Sequence, residues 1–334
     1  AAATAHNTSA TSVQNKPLGN VPRTPRYLSA DVHADKLEQV VAMLLSGAAD
    51  SIVGFVGIKA MGGQGKTILL SRVAREDRIL ARFARGVVWI DVGRDLEDDV
   101  GPLLEQLARF LQLEIGKDAA DRAVAIKDAL KTLGDGNDLL LLLDNVWSSS
   151  LEAVQDLIEA CPERTRVVLT SRDSSVVEEL EGEQVDLNEL SLDTAIKMLR
   201  KQCRGKVVLT DMQARDLAKA CCLHVLALEH VGAQLRLKCG GRRGKCCSPS
   251  DVLALIQDRA RSLSEKFQSK GKRVNVDACL ALSLEDLEGE PALKRLALGL
   301  AVFPVEREIP LGALVRLCRS SDRSGVRRMV VELD

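Results

Sequence analysis

The chain has 334 residues, of which 46% are apolar, 28% are charged and only 2% are aromatic. This length predicts two or three domains rather than a single core. With 46 basic and 47 acidic side chains, the charge balance argues against bulk affinity for nucleic acid and against a membrane-surface protein.

Cysteine usage indicates a reducing compartment, and hydropathy gives no sign of a membrane span or a signal peptide. The nine cysteines are scattered and odd in number, and none forms a C-x-x-C pair, which fits free thiols better than a disulfide framework. No apolar run reaches the length of a membrane span. The first 25 residues lack the apolar core of a signal peptide. We therefore expect a cytoplasmic protein.

The first part of the chain alternates between helical and strand patterns. Residues 1–26 are rich in Ala, Thr, Ser, Asn and Pro, which predicts a disordered tail or linker. Beyond them, apolar residues at helical spacing predict helices and short apolar runs predict buried strands. The predicted order is helix 31–45, strand 51–58, helix 67–74, strand 86–92, helix 96–113, helix 121–133, strand 138–143, helix 151–160, strand 165–170 and strand 185–187. Such alternation predicts an α/β fold with a doubly wound parallel sheet and helices on both faces.

From Leu192 onwards, helical patterns follow one another without strands between them. Segments 192–204, 210–236 and 250–266 have helical spacing, and a Gly-rich basic loop separates the last two. Residues 275–334 predict helices with a short extended piece at 302–309. These segments predict a second, helical part of the protein.

A glycine-rich segment lies between the first predicted strand and the helix after it. Its glycines let amide groups turn inward around phosphates, and the helix N-terminus adds its dipole. Lys66 would reach the β- and γ-phosphates, and the Thr67 hydroxyl would ligate Mg²⁺. Ala60 stands where the Walker A motif usually begins with glycine. Because a strand, a helix and a second motif accompany the segment, we favour a phosphate loop over a turn that binds nothing. The segment is Gly62, Gly63, Gln64, Gly65, Lys66 and Thr67.

Three polar residues at two predicted strand ends complete the candidate site. Asp144 ends an apolar strand and, paired with Lys66, is favoured as a Walker B aspartate over a strand-end turn or a helix cap. The next residue is Asn145, which cannot accept a proton, so nucleotide binding with slow hydrolysis is expected. Arg172 follows the next strand and is a candidate sensor of the γ-phosphate. On this pattern alone, a γ-phosphate sensor and an arginine in an exposed loop without a role are equally good interpretations.

Two other clusters favour plainer interpretations. The loop from Lys238 to Cys247 is basic and thiol-rich, and could bind phosphate, RNA or a metal. We favour a solvated loop, because metal sites need tighter ligand spacing and no aromatic residues interleave it. His224 and His230 lie six residues apart and so do not share one helix face. We expect helix surface or packing roles for both histidines.

The order of these segments resembles the NB-ARC family, which includes plant intracellular immune receptors and the apoptotic protease-activating factor. The stretch AMGGQGKTILL resembles the family's GMGGxGKTTLA, LLLLLDNVW resembles LLLVLDDVW, and VVLTSRD is similar to a sensor motif ending in T-T-R. Further similarities lie at 83–92, at 187–195, in CLHVLAL at 222–228, which is like G-L-P-L-A-L, and at 296–310, which is like the start of a winged helix.

The resemblance implies a domain order and a ligand. The domains would be the tail over 1–26, a P-loop nucleotide-binding domain over 27–190, a helical domain over 191–270 and a truncated winged-helix domain over 271–334. ADP or ATP with Mg²⁺ would be the cofactors. The family's adenine-side proline falls at His224 or Val225, and we favour Val225. The implied catalytic residues are Lys66, Asp144, Asn145 and Arg172, the cofactor contacts are Gly62, Gly63, Gln64, Gly65, Lys66, Thr67, Ile68 and Val225, and the magnesium ligands are Thr67 and Asp144.

The resemblance also implies a signalling switch with weak ATPase activity at most. ADP would hold the domains closed, and exchange for ATP would open them, permit self-association and engage an unknown signalling partner in defence or cell-death signalling. One alternative is a nucleotide-bound pseudo-ATPase that serves as a scaffold, which Asn145 favours. Another is a transcription regulator of the STAND type that contacts DNA. The net charge of −1 disfavours it, although the C-terminal end is locally basic.

Overall fold

The chain folds into two compact units. The first unit contains a sheet and extends to Asp186, and the second begins at Leu187. The described parts of Pro25–Ala34 and Met61–Gly65 group with the second unit. This computed structural model describes residues 21–24, 30–46, 55–59, 62–93, 96, 99–113, 115, 121–132, 138–162, 164–240, 247–267 and 272–285.

The first unit is built on a five-stranded parallel sheet. Its strands are hydrogen-bonded in the order β2-β3-β4-β1-β5, and every neighbouring pair is parallel. The strands are β1 (Phe55–Lys59), β2 (Gly86–Asp91), β3 (Leu139–Val146), β4 (Thr165–Ser171) and β5 (Glu183–Asp186). The helices are α1 (Ala34–Ser46), α2 (Lys66–Val73), α3 (Asp77–Arg82), α4 (Gly101–Leu111), α5 (Arg122–Lys131), α6 (Leu151–Ala160) and α7 (Ser174–Glu179).

The core of the first unit lies around β3 and β4. Leu139–Leu143 is fully buried, and every residue of β4 is buried. A strand without alternation must be covered on both faces, which explains the run of five leucines. The amphipathic helices α4 and α6 contribute Leu103, Leu107 and Leu157 to the same apolar cluster. The structure therefore has the predicted parallel α/β architecture.

Three details of the first unit differ from the sequence predictions. The short helices α3 and α7 are not predicted from the sequence, because each has only six residues and shows too little apolar periodicity. Strand β3 does not end at Leu143 but continues to Val146 through a register shift. Val21, which was predicted to lie in the tail, is buried, and its carbonyl accepts a hydrogen bond from Arg75. This end of the predicted tail therefore packs on the first unit.

The second unit is helical in the described part of the chain after Leu187, as predicted. Ser191 and Thr210 cap two of its helices by accepting hydrogen bonds from backbone amides, which is the preferred role of these side chains. The helices are α8 (Leu192–Gln202), α9 (Asp211–Ala220), α10 (Val225–Lys238), α11 (Pro249–Phe267) and α12 (Lys272–Glu285).

The prediction of one helix over 210–236 is wrong. The chain turns between α9 and α10, where Cys222 and Leu223 have φ values of 52° and 55°. Left-handed backbone ends a right-handed helix. Apolar spacing continues through this turn, and neither glycine nor proline marks it, so the sequence pattern does not reveal the break.

Some predicted segments fall outside the described residues. These are the winged-helix region beyond Glu285, with its extended piece at 302–309, and residues 241–246 of the basic loop. Among the helices of the described part, none combines the length and the apolar character that a bilayer crossing requires.

Candidate functional site

The carboxylate of Asp144 is held by two threonine hydroxyls in the first unit. Asp144 is 7% exposed and lies in the irregular part of β3. Thr67, the second residue of α2, donates to Oδ2 at 2.8 Å. Thr170, in the neighbouring strand β4, donates to Oδ1 at 2.5 Å. The fold thus brings together the two predicted magnesium ligands, which lie 77 positions apart in sequence.

This donor set has the chemistry of a magnesium site. Mg²⁺ prefers hard oxygen ligands and binds in phosphate sites through one or two carboxylates, with water and phosphate oxygens completing the shell. Thr67 and Asp144 supply a hydroxyl and a carboxylate within hydrogen-bonding distance of each other. The residues present therefore fit a magnesium ion that accompanies a nucleotide.

Asn145 occupies a special backbone position beside Asp144. Its φ is 63°, a left-handed conformation that asparagine tolerates better than most residues. Its amide donates to Thr170 Oγ1 at 2.8 Å. Thr170 therefore links the carboxylate to the backbone after it. The sequence pattern does not identify Thr170 as a site residue, since its only signal is a polar side chain at the end of a buried strand.

Arg172 follows β4, and its guanidinium lies over the ring of Trp147, 5.4 Å from the centroid. Trp147 follows β3, the strand that carries Asp144. Because the carboxyl ends of parallel strands meet at one edge of a sheet, Arg172 and Asp144 lie at the same edge. A cation–π contact of this kind limits where the arginine can point.

The glycine-rich loop before α2 needs its glycines. Gly63 has a φ of +80° and Gly65 a φ of +94°. Residues that have a Cβ rarely adopt such backbone angles. A Cβ on Gly63 would also lie 2.9 Å from His224 Cε1 and from Leu226 Cβ. The loop therefore approaches the start of α10 too closely for any other residue.

Three successive carbonyl oxygens of this loop accept hydrogen bonds from within the second unit. Two donors are imidazoles, and the third is a backbone amide. The pairs are Gly62 O with His224 Nε2 at 3.0 Å, Gly63 O with Leu226 N at 3.1 Å, and Gln64 O with His33 Nε2 at 2.8 Å. We call this set of contacts the carbonyl clamp.

His224 is the most buried member of the clamp, at 1% exposure. Its Nδ1 accepts the amide of Ala227, at 3.4 Å, and so caps α10. Burial lowers the pKa of His224, and the hydrogen bond with Gly62 and the charge of Glu189 oppose this shift in part. His224 thus packs inside the protein, as expected. The sequence contained no pattern that would have singled out His33.

The remaining predicted residues lie close to the same loop in sequence or at the start of a helix. Lys66 begins α2, and Ile68 is half-buried in its first turn. Val225 is buried at the first position of α10. Gln64 is 4% exposed, and its Oε1 has no hydrogen-bond partner among the described residues. Ala60 lies outside those residues.

No metal cluster of His, Cys, Asp or Glu occurs in the part of the chain that the structure describes. Cys239 and Cys247, which flank the undescribed part of the basic loop, are free thiols. Within the described residues, the loop therefore provides no metal centre.

The fold and these contacts define a P-loop NTPase: a parallel sheet, a glycine loop that leads into α2, and a hydroxyl–carboxylate pair at the strand ends. Within that class, the family model of the NB-ARC domain matches residues 33–207, which is just over half of the chain. The chain therefore belongs to the NB-ARC domain family.

Comparison with individual proteins agrees with this assignment. A probable disease resistance protein of Arabidopsis thaliana is 26% identical over 269 residues, covering 77% of this chain and 33% of that protein. A second one is 25% identical over 274 residues, covering 79% and 26% respectively. The chain thus spans a third or less of the length of these relatives. It carries an NB-ARC nucleotide-binding domain of the kind found in disease resistance proteins.

Among solved structures, the ORC2 protein of Aeropyrum pernix aligns with 94% of this chain and 87% of its own, at 16% identity and a TM-score of 0.41. A likeness this weak has no bearing on function.

Proposed function

We propose that this chain is an ADP/ATP-binding signalling switch of the NB-ARC type. The contact that carries the proposal is the hydrogen bond from Thr67 to Asp144, because it joins the end of the phosphate loop to the strand that would hold magnesium. The positive φ values of Gly63 and Gly65 support the same assignment.

Each predicted residue has a chemical role in the proposal. Lys66 would neutralise the β- and γ-phosphates, and the loop amides would donate to phosphate oxygens. Thr67 and Asp144 would hold Mg²⁺, which supplies positive charge against the phosphates. Ile68 and Val225 would contact the nucleoside side of the ligand. Arg172, lying over Trp147, would respond to the presence of a γ-phosphate.

Hydrolysis of ATP would be slow. A side chain that activates the attacking water must accept a proton or orient the water strongly, and the amide of Asn145 cannot accept a proton. ATP would therefore persist on the protein for longer than on an enzyme with a carboxylate at this position. This residue also favours a second candidate function, that of a pseudo-ATPase scaffold that never cycles.

The switch itself would operate through differential binding. A ligand shifts a conformational equilibrium only as far as its affinities for the two states differ. ADP would stabilise a closed arrangement of the nucleotide-binding domain over 27–190, the helical domain over 191–270 and the winged helix from 271. ATP would stabilise an open, self-associating one. By similarity to the disease resistance proteins, we propose that this activity serves defence signalling. We propose a cytoplasmic location because the scattered, odd number of cysteines fits a reducing compartment.

The first test is to identify the nucleotide that the purified protein carries. The protein is prepared without added nucleotide and denatured, and the released ligand is identified by chromatography. We expect near-stoichiometric ADP from the wild type and little from Lys66→Ala. Lys131→Ala is the matched control, because Lys131 is exposed on α5 of the same unit.

An empty wild type that also fails to bind added ADP would overturn the proposal. To separate the switch from the scaffold, ADP-loaded and ATP-loaded protein are compared by analytical ultracentrifugation. The scaffold would be favoured by two results together. The protein would have the same mass and shape with ADP and with ATP, and the wild type would show no more ATP hydrolysis than Lys66→Ala.

A further inference from the structure

The carbonyl clamp binds one side of the phosphate loop. Its acceptors are the carbonyl oxygens of Gly62, Gly63 and Gln64, three consecutive residues, and all its donors belong to the second unit. All three donors are distant in sequence from the loop. His33 lies 31 positions from its acceptor, His224 lies 162 positions from its own, and Leu226 lies close to His224 in the chain.

Because peptide units are planar, fixing these carbonyl groups also fixes the direction of the N–H groups in the same peptide units. A trans peptide unit is planar, and its C=O and N–H point in opposite directions. The described chain has no cis peptide bond. Holding the carbonyls of Gly62, Gly63 and Gln64 therefore turns the amides of the three following residues away from the clamp. Among the described residues, the amides of Gly63, Gln64 and Gly65 donate to no other residue, as expected of groups that bind an anion.

Both histidines are buried, and left-handed backbone occurs at His33 and directly before His224. His33 has a φ of 52° and is buried. His224 follows the two left-handed residues of the turn before α10. Such conformations cost free energy and persist where the surrounding structure imposes them. The hydrogen bond that Nδ1 of His224 accepts from Ala227 leaves Nε2 as the protonated nitrogen, so Nε2 donates to Gly62.

We propose that His33 and His224 are positioning residues that fix the conformation of the phosphate loop through its carbonyl oxygens, and that nucleotide affinity depends on them. The inference rests on the proposed nucleotide binding and gives both histidines a role in it that is distinct from contact with the base. Neither imidazole need touch the nucleotide. Their effect is to keep the loop amides directed at the phosphates before binding, so that less ordering is required when the nucleotide arrives.

The test compares ADP affinity in variants that separate the clamp from other roles of each histidine. Asparagine is the key substitution. In His224→Asn, the side-chain oxygen still caps α10, but no atom occupies the place of Nε2. In His33→Asn, the left-handed backbone is tolerated, and the distal donor is again removed. His224→Gln extends an amide towards Gly62 and should restore part of the lost affinity.

ADP is titrated into each variant in the presence of Mg²⁺. We expect each asparagine variant to bind ADP about two- to tenfold more weakly than the wild type, the value for one lost hydrogen bond, and the double variant to bind more weakly still. His230→Asn, in the helix that His224 caps, should match the wild type. Asparagine variants that bind ADP as tightly as the wild type would overturn the inference and leave the proposed function standing.

A second readout needs no nucleotide. The chain has only four histidines, so nitrogen NMR of histidine-labelled protein gives a simple spectrum that the variants assign. We expect His224 to carry its proton on Nε2 at neutral pH, and an unprotonated Nε2 would contradict the clamp. If the wild type binds no ADP, both the proposed function and this inference are refuted. That outcome differs from the one in which the wild type and the asparagine variants bind ADP equally well, which refutes the inference alone.

Discussion

Asn145 combines an unusual backbone conformation with a side chain that cannot accept a proton. Its φ of 63° restricts the position to residues that accept left-handed backbone, among which asparagine and aspartate are enriched. Aspartate would therefore fit the same backbone. The difference between the two lies in proton transfer, which the carboxylate can perform and the amide cannot.

We expect Asn145→Asp to raise the rate of ATP hydrolysis at least tenfold, because a positioned general base contributes about 10²–10⁴-fold. The measurement is phosphate release under single-turnover conditions. Asn188→Asp, at an exposed position of the same protein, is the control for the added charge. Unchanged hydrolysis in Asn145→Asp, with ADP affinity intact, would show that water activation does not limit the reaction.

Thr170 matters because its hydroxyl is used twice. It donates to Asp144 and accepts from the amide of Asn145, in a buried position. Thr170→Val keeps the shape but leaves both groups without this partner, so we expect a loss of about 1–3 kcal/mol in the free energy of unfolding. Urea denaturation measures it. Thr170→Ser retains the hydroxyl and should lose much less, and equal losses in the two variants would attribute the effect to packing.

The elements of the first unit were largely predictable, because burial on both faces leaves an unmistakable pattern. Leu139–Leu143 predicts a central strand, which the structure contains. The glycine loop between a strand and a helix predicts a phosphate site, which stays a prediction. The turn at Cys222 and Leu223 was not predictable, since it depends on the packing of the chain and not on turn-forming residues. The contact of His33 with Gln64 joins distant segments and leaves no periodic signal.

The turn between α9 and α10 stores strain that a glycine would relieve. A residue with a Cβ in left-handed backbone costs about 1–2 kcal/mol, whereas glycine loses about 0.5–1 kcal/mol through its greater freedom in the unfolded chain. We therefore expect Cys222→Gly to stabilise the protein by about 0.5–1 kcal/mol in thermal unfolding. Cys222→Ala removes the thiol but keeps the Cβ, and a similar gain in that variant would show that strain is not the cause.

Two glycines with positive φ allow the effect of backbone strain to be distinguished from the effect of close contact with α10. Gly63 and Gly205 both have positive φ, +80° and +69°, but a Cβ on Gly205 would meet no atom within 4 Å. We expect Gly205→Ala to cost about 1 kcal/mol of stability and to leave ADP affinity unchanged. Gly63→Ala should also weaken ADP binding at least tenfold. Similar ADP affinities in the two variants would argue against a loop held by α10.

At the scale of the whole molecule, the free energy of unfolding should depend on the protonation of His224. Burial lowers the pKa of this imidazole below its ordinary value of 6.5, so the folded protein takes up the proton less readily than the unfolded chain. Its contribution to stability is therefore complete above about pH 6.5 and is lost as the pH falls below that value.

Urea unfolding at a series of pH values between 5 and 8 tests this dependence. The wild type should lose stability as the pH falls below about 6.5, and His224→Asn, which removes the titrating group, should lose less over the same range. Parallel curves for the two proteins would assign the pH dependence to other groups. His230→Asn, within the helix that His224 caps, is the control for removing another histidine.

The placement of the tryptophans has a consequence for how unfolding of this protein can be observed. The chain has two, Trp89 in β2 and Trp147 after β3, and both belong to the first unit. Intrinsic tryptophan emission therefore reports on the first unit and does not detect the second, whereas far-ultraviolet circular dichroism detects the helices of both. Two transitions that coincide in these signals would mean that the units unfold together. Separate midpoints would resolve the stability of each unit without a label.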